Sequence, residues 1–303
     1  MASWSPVTQS GLIVVDKSGG MTSHDVVARI RRIAGTRRVG HGGTLDPMAT
    51  GVLIIGVERA TRLLTYVIGC DKGYAATIRL GQSTITDDAE GDVVTVADAG
   101  LLTEVALPEE AIMAGLGALT GPIEQVPSAV SAIKIRGVRS YARVRAGEEV
   151  TLAARPVTVH QLRPLAVRRA VDAVDVDVDV VCSSGTYIRA LARDLGAALG
   201  VGGHLTALRR TSVGGFTVGE ALTLDALAAA PEPVTIPLAG AAARLLPRRE
   251  VSAEEAGVLA HGGPLPVSGQ PGPYAVFDPT GAVIGIVAER DGRARPEVVL
   301  APA

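Results

Sequence analysis

The hydrophobic pattern at the start of the chain predicts a buried strand followed by an amphipathic helix. The segment Gly11–Asp16 is almost wholly apolar and ends at a Lys17-Ser18-Gly19-Gly20 turn, which is typical of a buried strand. Thr22 or Ser23 can cap the helix that follows, and Gly35 can end it. The apolar positions of this helix recur at helical spacing, at Val26, Val27, Ile30 and Ile33.

Farther along the chain the pattern intersperses strands with helices. It predicts strands at Val52–Val57 and Tyr74–Leu80, and a helix at Pro108–Leu119. Between Val171 and Val181, valines alternate with aspartates, as in a strand with one buried and one wet face. Strands and helices are therefore interspersed along this part of the chain.

The last third of the chain predicts a helix, a connection and a small β-rich region. Thr186 can cap a helix that continues to about Leu199. The Ala- and Pro-rich segment Ala228–Gly240 is interpreted as a connection between domains. Beyond it we predict a helix at Val251–Ala260 and a β-hairpin formed by residues 274–277 and 283–287. The predicted domains are therefore residues 1–235 and 240–303.

Composition and charge narrow the class of protein. With 303 residues, 47% hydrophobic and 20% charged, the chain can bury a substantial core. Its two cysteines lie far apart, which favours neither a disulfide framework nor a zinc site. The sequence contains no secretory signal and no run of transmembrane length, so we expect a cytoplasmic protein without a membrane partner.

The distribution of charge matters more than the net charge of −2. Nine acidic residues and no Lys or Arg lie between Leu80 and Ile133. A short segment is instead rich in arginine, at Arg29, Arg31, Arg32, Arg37 and Arg38. A basic face for a nucleic acid is therefore compatible with a nearly neutral chain.

The segment His41–Thr50 is the best candidate for a site because it places a single carboxylate, Asp46, among glycines. Pro47 restricts Asp46 to extended backbone, which helps to orient its side chain. A carboxylate can act as a covalent nucleophile, but Asp46 could also simply cap the following turn. His41 could be a base, a stacking surface or a solvated loop residue.

Other candidate residues also have a purely structural alternative. Arg189, in the first turn of the predicted helix, could orient a carboxylate or form a surface ion pair. Tyr74 and Tyr187 are two of only five tyrosines, and either could belong to a site or to the core.

Several segments in this order resemble the TruB family of tRNA pseudouridine synthases, over about residues 11–215. The most specific is the run of twelve residues Gly40-His-Gly-Gly-Thr-Leu-Asp-Pro-Met-Ala-Thr-Gly51. The others are Gly11-Leu-Ile-Val-Val-Asp-Lys17, Asp71-Lys-Gly-Tyr74, Gly185-Thr-Tyr-Ile-Arg189 and Leu208-Arg-Arg210. One departure is visible: Ser18 stands where the family usually has a proline.

The resemblance implies an α+β fold with a central, mostly antiparallel sheet flanked by helices, the pseudouridine synthase fold, and a small C-terminal β-rich, PUA-like RNA-binding domain. It also implies isomerisation of uridine 55 in the T loop of tRNA to pseudouridine. Asp46 would be the nucleophile, attacking either the uracil C6 or the ribose C1′, and no cofactor or metal would be needed. The expected partner is the T-stem loop of tRNA, and we expect a monomer.

Carried over by position, the resemblance assigns a role to each candidate residue. Tyr74 would stack on the target base and assist proton removal from C5, Arg189 would pair with Asp46, and His41 would support the flipped-out RNA loop. Tyr187 and Leu208 would line the nucleotide pocket. Extrusion of the base is physically necessary because a uridine stacked inside a folded loop is out of reach of a carboxylate.

Four basic residues would contact phosphates or stabilise loops near them, or would be ordinary solvated surface charges: Lys17, Arg62, Arg209 and Arg210. The arginine-rich segment from Arg29 to Arg38 is a second candidate surface for phosphates, with the same structural alternative.

Two other classes of function compete with an isomerase. A tRNA-binding protein that assists RNA folding would have no need of Asp46, Tyr74 and Arg189 together. A carboxylate-based hydrolase is disfavoured because no second acidic motif accompanies Asp46 at short spacing.

Overall fold

The computed structural model describes residues 9–130, 134–135, 138–139 and 152–301. The chain forms two compact units. The first unit comprises residues 1–69 and 212–303, and the second comprises residues 70–211. In the described part of the chain, no helix is both long and apolar enough to cross a membrane.

The structure contains many short strands and few long helices. The strands are β1 (Gly11–Lys17), β2 (Val39–His41), β3 (Thr50–Val57), β4 (Lys72–Leu80), β5 (Gln82–Thr84), β6 (Val93–Val96), β7 (Gly121–Gln125), β8 (Lys134–Ile135), β9 (Val138–Arg139), β10 (Arg155–Arg169), β11 (Val174–Cys182), β12 (Gly203–Val213), β13 (Phe216–Thr217), β14 (Ile236–Pro237), β15 (Arg248–Glu250), β16 (Tyr274–Phe277), β17 (Val283–Arg290) and β18 (Arg293–Val299). The α-helices are α1 (Ser23–Ile33), α2 (Leu64–Gly69), α3 (Glu109–Ala118), α4 (Ile188–Ala198), α5 (Leu224–Ala229), α6 (Leu238–Leu245) and α7 (Ala253–Ala260). Short 3-10 helices lie at Glu58–Leu63, Ala99–Leu102 and Val218–Glu220.

In the first unit, β1 is the central strand that the apolar run predicts. It pairs antiparallel with β3 on one side and with β14 on the other, and Leu12, Ile13, Val14 and Val15 are fully buried. Strand β2 continues this sheet by pairing antiparallel with β3. Gly11 is needed at the start of β1 because an added Cβ would lie 2.3 Å from the carbonyl oxygen of Ile236.

The segment 228–240, interpreted as a connection between domains, contains regular secondary structure. Ile236 and Pro237 form β14, which pairs with Leu12 and Gly11, and helices α5 and α6 lie on either side of it. Proline is tolerated at the edge of a sheet, where its missing N–H removes no ladder hydrogen bond. The composition indicated a linker, whereas the segment completes the sheet. The division into domains at residues 235 and 240 stays a prediction.

Helix α1 forms as predicted, and Thr22 is its cap. The Thr22 hydroxyl accepts a hydrogen bond from the Asp25 backbone N–H, and the Asp25 carboxylate accepts one from the Thr22 N–H, so the helix begins with a capping box. Its apolar face, formed by the four predicted residues, is buried. The helix ends at Ile33, and Gly35 adopts a positive φ of 63° just beyond it.

In the second unit, β4, β11, β10 and β7 are neighbours in that order and pair antiparallel. The alternation predicted for β11 is confirmed, because Val174, Val176, Val178 and Val180 are all at most 1% exposed. The aspartates on its other face meet polar partners on neighbouring strands. For example, the Arg79 guanidinium donates two hydrogen bonds of 2.8 Å to the Asp175 carboxylate.

Helix α4 forms as predicted, but its cap differs. Tyr187 occupies the N-cap position, and the Thr186 hydroxyl instead donates to the Ser183 carbonyl at 3.0 Å. The Thr186 side chain therefore closes the preceding turn and does not cap the helix. Arg189 is in the first turn, as expected.

The C-terminal residues form a four-stranded sheet in the order β15-β16-β17-β18, which confirms the predicted β-rich region. The predicted hairpin is the antiparallel pair β16 and β17, and the predicted helix is α7. Leu259 of α7 and Tyr274 of β16 are fully buried in the core of this region. The α+β class and the mostly antiparallel pairing are thus confirmed. Among the strand pairs described above, the pair of β15 and β16 is parallel.

Val176 provides a test of the buried face of β11. We expect Val176→Ala to lower the free energy of unfolding by about 2 kcal/mol, because it leaves a cavity in a closely packed core. The control is Val171→Ala, which removes the same atoms from a side chain that is 85% exposed and should change stability by less than about 0.5 kcal/mol. Urea unfolding measures both, and equal effects would show that the assigned face is wrong.

Candidate active site

The Asp46 carboxylate lies in residues 42–49, which connect β2 to β3 and which we call the Asp46 segment. Leu45 and Ala49 are buried, Asp46 is half-buried, and Thr44 and Pro47 are exposed. The Ala49 N–H donates to the Asp46 carbonyl at 3.1 Å, so a tight turn follows the aspartate. The segment is therefore anchored by apolar side chains on both sides of a partly accessible carboxylate.

Ser23, the first residue of α1, holds the segment from one side. Its hydroxyl donates to the Leu45 carbonyl at 3.0 Å and accepts from the Leu45 N–H at 2.9 Å. Ser23 is only 2% exposed, so water competes little for these bonds. The residue immediately before Asp46 is thus fixed to the N-terminus of a helix.

Lys17 holds the segment from the other side. Its side chain is fully buried, and its ammonium group donates to the carbonyls of Met21 at 2.8 Å, Ser18 at 3.0 Å and Pro47 at 3.1 Å. The Gly20 N–H donates to the same Pro47 carbonyl at 2.9 Å. A buried cation requires such compensation, and this arrangement favours loop stabilisation over phosphate contact for Lys17.

His41 ends β2, directly before the Asp46 segment, and its ring lies beside that of His24. The two ring centroids are 5.4 Å apart with an interplanar angle of 76°, an edge-to-face arrangement. His24 is exposed on α1, whereas His41 is half-buried. Sequence reasoning missed His24, whose helical position gave no signal of its neighbour.

In the second unit, Tyr74 lies on β4 opposite Val180 and is 7% exposed. Tyr187 is half-buried, and the Gln125 side chain holds its backbone at both ends. The Tyr187 N–H donates to Gln125 Oε1 at 2.8 Å, and Gln125 Nε2 donates to the Tyr187 carbonyl at 3.1 Å. Gln125, which sequence reasoning did not select, therefore fixes the backbone that orients Tyr187. Leu208, on β12, is 7% exposed.

Arg189 is a buried cation with a defined set of acceptors. It is 5% exposed, and it donates to the carbonyls of Thr86 at 2.8 Å and Val130 at 3.0 Å. The Asp88 carboxylate lies 3.3 Å from Arg189 Nη1. Both side chains are 5% exposed, so this ion pair is almost removed from water.

Asp88 is itself held by its own loop. One of its carboxylate oxygens accepts from the Thr86 hydroxyl and from the Glu90 N–H, while the other faces Arg189. Next to it, burial raises the pKa of the Asp87 carboxyl, which the Ser128 hydroxyl and Arg193 oppose. Sequence reasoning saw these acids only as part of an acidic stretch. It expected Asp46 as the partner of Arg189, and that pairing stays a prediction.

The remaining predicted basic residues have different environments. Arg62 is exposed and donates to the Val299 carbonyl at 2.5 Å, so it contacts β18. Arg209 is half-buried, whereas Arg210 is 1% exposed. Burial lowers the pKa of the nearby Lys72 ammonium group, and the charge of Arg210 lowers it further. The burial of Arg210 favours a role in supporting the fold.

Comparison with known proteins gives matches along most of the chain. The family model described as "TruB family pseudouridylate synthase (N terminal domain)" matches residues 31–188. Residues 189–235 match "tRNA pseudouridylate synthase B C-terminal domain", and residues 246–301 match "tRNA Pseudouridine synthase II, C terminal".

Similar proteins are described as tRNA pseudouridine synthase B. The tRNA pseudouridine synthase B of Arthrobacter sp. (strain FB24) is 56% identical over 97% of both chains. The protein of that name from Nocardia farcinica is 58% identical over 96% of this chain and 94% of its own. Among solved structures, a Cbf5-Nop10-Gar1 complex matches with a TM-score of 0.73 and 26% identity, covering 100% of this chain and 91% of that chain.

Lys17→Met tests whether the buried ammonium group holds the Asp46 segment. We expect a loss of about 3 kcal/mol in the free energy of unfolding, because three hydrogen bonds from a buried ammonium group to partly buried carbonyls are lost. Hydrogen exchange, measured by mass spectrometry, should be faster in the variant than in the wild type at the Gly20 and Ala49 amides. The exchange of the β11 amides should change less. Unchanged stability and exchange would contradict this role.

Asp88→Asn tests the buried ion pair. Because the variant leaves the Arg189 charge buried without its counter-ion, we expect a loss of about 3 kcal/mol in stability. The matched control is Asp225→Asn, which removes the carboxylate of an exposed pair with Arg29 and should cost less than about 0.5 kcal/mol. A comparable small effect at Asp88 in thermal or urea unfolding would refute the importance of the pair.

Proposed function

The chain belongs to the TruB family of pseudouridylate synthases and is a tRNA-modifying enzyme of that family, and we propose that its target is uridine 55 in the T loop. Asp46 is the proposed nucleophile. The observation that carries this proposal is the anchoring of residues 45 and 47 by buried polar bonds, from Ser23 on one side and Lys17 on the other.

Rigid anchoring of the flanking backbone suits a covalent nucleophile. A carboxylate must approach one carbon atom of the nucleoside from a defined direction, and each misplaced ångström lowers the rate steeply. Hydrogen bonds from the side chains of Ser23 and Lys17 to backbone groups fix the segment without using the carboxylate itself. Asp46 can therefore be held in place and still react.

The proposed reaction conserves all the atoms of the substrate. Asp46 forms a bond to C1′ or to C6, the N1–C1′ glycosidic bond breaks, and the base rotates. A C5–C1′ bond then forms, and the bond to Asp46 breaks. The C5 proton then leaves, and N1 is protonated. Such an isomerisation requires a nucleophile, an enclosed pocket and a route for the C5 proton, and it consumes no co-substrate.

Base flipping is part of the proposal because the target base is otherwise stacked inside the RNA loop. The imidazoles of His24 and His41, which meet edge to face, support it, since they provide partly accessible aromatic surface beside the Asp46 segment. Aromatic rings can replace the stacking that the extruded nucleotide loses. We assign to Tyr187 and Leu208 the lining of the nucleotide pocket.

Tyr74 and Arg189 complete the proposed catalytic set. Tyr74, almost buried on β4, would stack on the base and assist removal of the C5 proton. Arg189 would stabilise the charge of Asp46, with Asp88 as a positioning residue. The Arg189 guanidinium is held by the Thr86 and Val130 carbonyls and by Asp88. Because it is already positioned, it would lose little conformational entropy on binding the Asp46 carboxylate, which supports this role.

We further propose that residues 240–303 act as a PUA-like RNA-binding domain and that the enzyme works as a monomer in the cytoplasm. Arg209 is the most accessible of the predicted phosphate contacts in the second unit. Arg62 is exposed as well, although its guanidinium already contacts the Val299 carbonyl.

The decisive experiment measures tritium release from tRNA labelled at uracil C5. Wild-type protein should release tritium from uridine 55, and a tRNA with cytidine at this position should release none from that site. We expect Asp46→Asn to reduce the rate by at least about 10⁴-fold, as loss of a covalent nucleophile does in other enzymes.

Asp225→Asn serves as the matched control because it makes the same chemical change at an exposed aspartate of the same unit. It should retain the wild-type rate. Filter binding of tRNA to Asp46→Asn must remain close to wild type for the result to concern chemistry. Tight tRNA binding without tritium release by the wild type would instead support the alternative, a tRNA-folding protein.

A further inference from the structure

Five arginines crowd the C-terminal end of α1 and the turn that leads to β2. We call Arg29, Arg31, Arg32, Arg37 and Arg38 the arginine cluster, and all five are exposed. The turn forms an open concave surface, which is lined by Arg31, Arg32, Gly35, Thr36 and Arg37. This surface has no role in the function proposed above.

Among the described residues, two carboxylates form salt bridges with the five arginines of the cluster, which is too few to neutralise it. Asp225 lies 3.5 Å from Arg29 and is 94% exposed, and Glu58 lies 3.7 Å from Arg38. Glu58 also accepts a hydrogen bond from the Thr36 hydroxyl. Within the described residues, no carboxylate forms a salt bridge with Arg31, Arg32 or Arg37. The partial negative charge at the end of α1 offsets only part of the excess.

Two elements, helix α1 and strand β2, separate the arginine cluster from the Asp46 segment. Ser23, which bonds Leu45, begins α1, and Arg32 follows nine residues later, about 13 Å along the helix axis at the standard rise. On the second path, four residues separate Arg37 from His41, which is at most about 14 Å of extended chain. The distance of about 13 Å along α1 exceeds the length of one nucleotide.

We propose that the arginine cluster binds the phosphate backbone of the substrate tRNA at nucleotides flanking the target uridine. Guanidinium groups bind phosphate through charge-assisted, often bidentate hydrogen bonds, and an exposed, concave and under-neutralised set of them suits a polyanion. The inference rests on the proposed function, because it takes RNA on the Asp46 segment as its reference point. Its contribution is to the affinity for tRNA and to correct placement.

The test is the double variant Arg32→Gln, Arg37→Gln. Both side chains are exposed, so folding should be unaffected. In tritium release from C5-labelled full-length tRNA, we expect KM to rise about tenfold with little change in kcat, because two phosphate contacts are lost and the chemistry is not. The slope of log Kd against log salt concentration should fall by about 1.5 to 2.

Two further variants make the result specific. Arg32→Lys, Arg37→Lys keeps both charges but loses the guanidinium fork, so it should keep the salt slope of the wild type and raise KM less than the glutamine double variant does. Arg155→Gln removes an exposed arginine on β10 and should leave KM and the salt slope unchanged.

Three results would overturn the proposal: wild-type KM and salt slope in the glutamine double variant, an equal effect of Arg155→Gln, or an equal loss in the lysine variant. Each of these leaves wild-type tritium release intact. Failure of the proposed function appears instead as absence of release by the wild type.

Discussion

The buried ammonium group of Lys17 is the interaction on which the arrangement of the Asp46 segment depends. A cation can remain inside a protein only if polar groups replace its lost hydration. Here the carbonyls of Ser18, Met21 and Pro47 do so, and they belong to two stretches of chain that are otherwise far apart in sequence. Satisfying one charge therefore joins the end of β1 to the residue after Asp46. The Ser23 hydroxyl makes the equivalent link to the residue before it.

The same physical constraint organises the second unit around Arg189. Its guanidinium is nearly inaccessible, so the Thr86 and Val130 carbonyls and the Asp88 carboxylate must converge on it. The loop that supplies Asp88 is fixed in turn by the Thr86 hydroxyl and the Glu90 N–H. In both units, then, a buried positive charge fixes a loop of irregular backbone. Burial of both cations limits the competition from water that would weaken these bonds.

Local rules predicted those elements whose pattern was unambiguous. The apolar run of β1, the helical spacing of α1 and the alternating valines of β11 each place one set of side chains in a core, and periodicity reports that directly. Prediction failed where a segment's role depends on a distant partner. Ile236 and Pro237 lie in a stretch with the composition of a linker, yet they pair with β1, more than two hundred residues earlier. At Thr186 the competing partner is local. Its hydroxyl donates to the Ser183 carbonyl, three residues earlier, although the residue type is typical of a helix cap.

The sequence by itself determined the family, the α+β class and the identity of the candidate nucleophile, because twelve consecutive residues around Asp46 carry that information without reference to any contact. Only the tertiary structure decided what the buried charges do. It showed Lys17 bonded to loop carbonyls, brought Asp88 to Arg189, and set the rings of His24 and His41 edge to face. Residue type specifies how many hydrogen bonds a charged group needs. Which residues supply them depends on how the chain packs, since the partners come from separate segments that meet only in the fold.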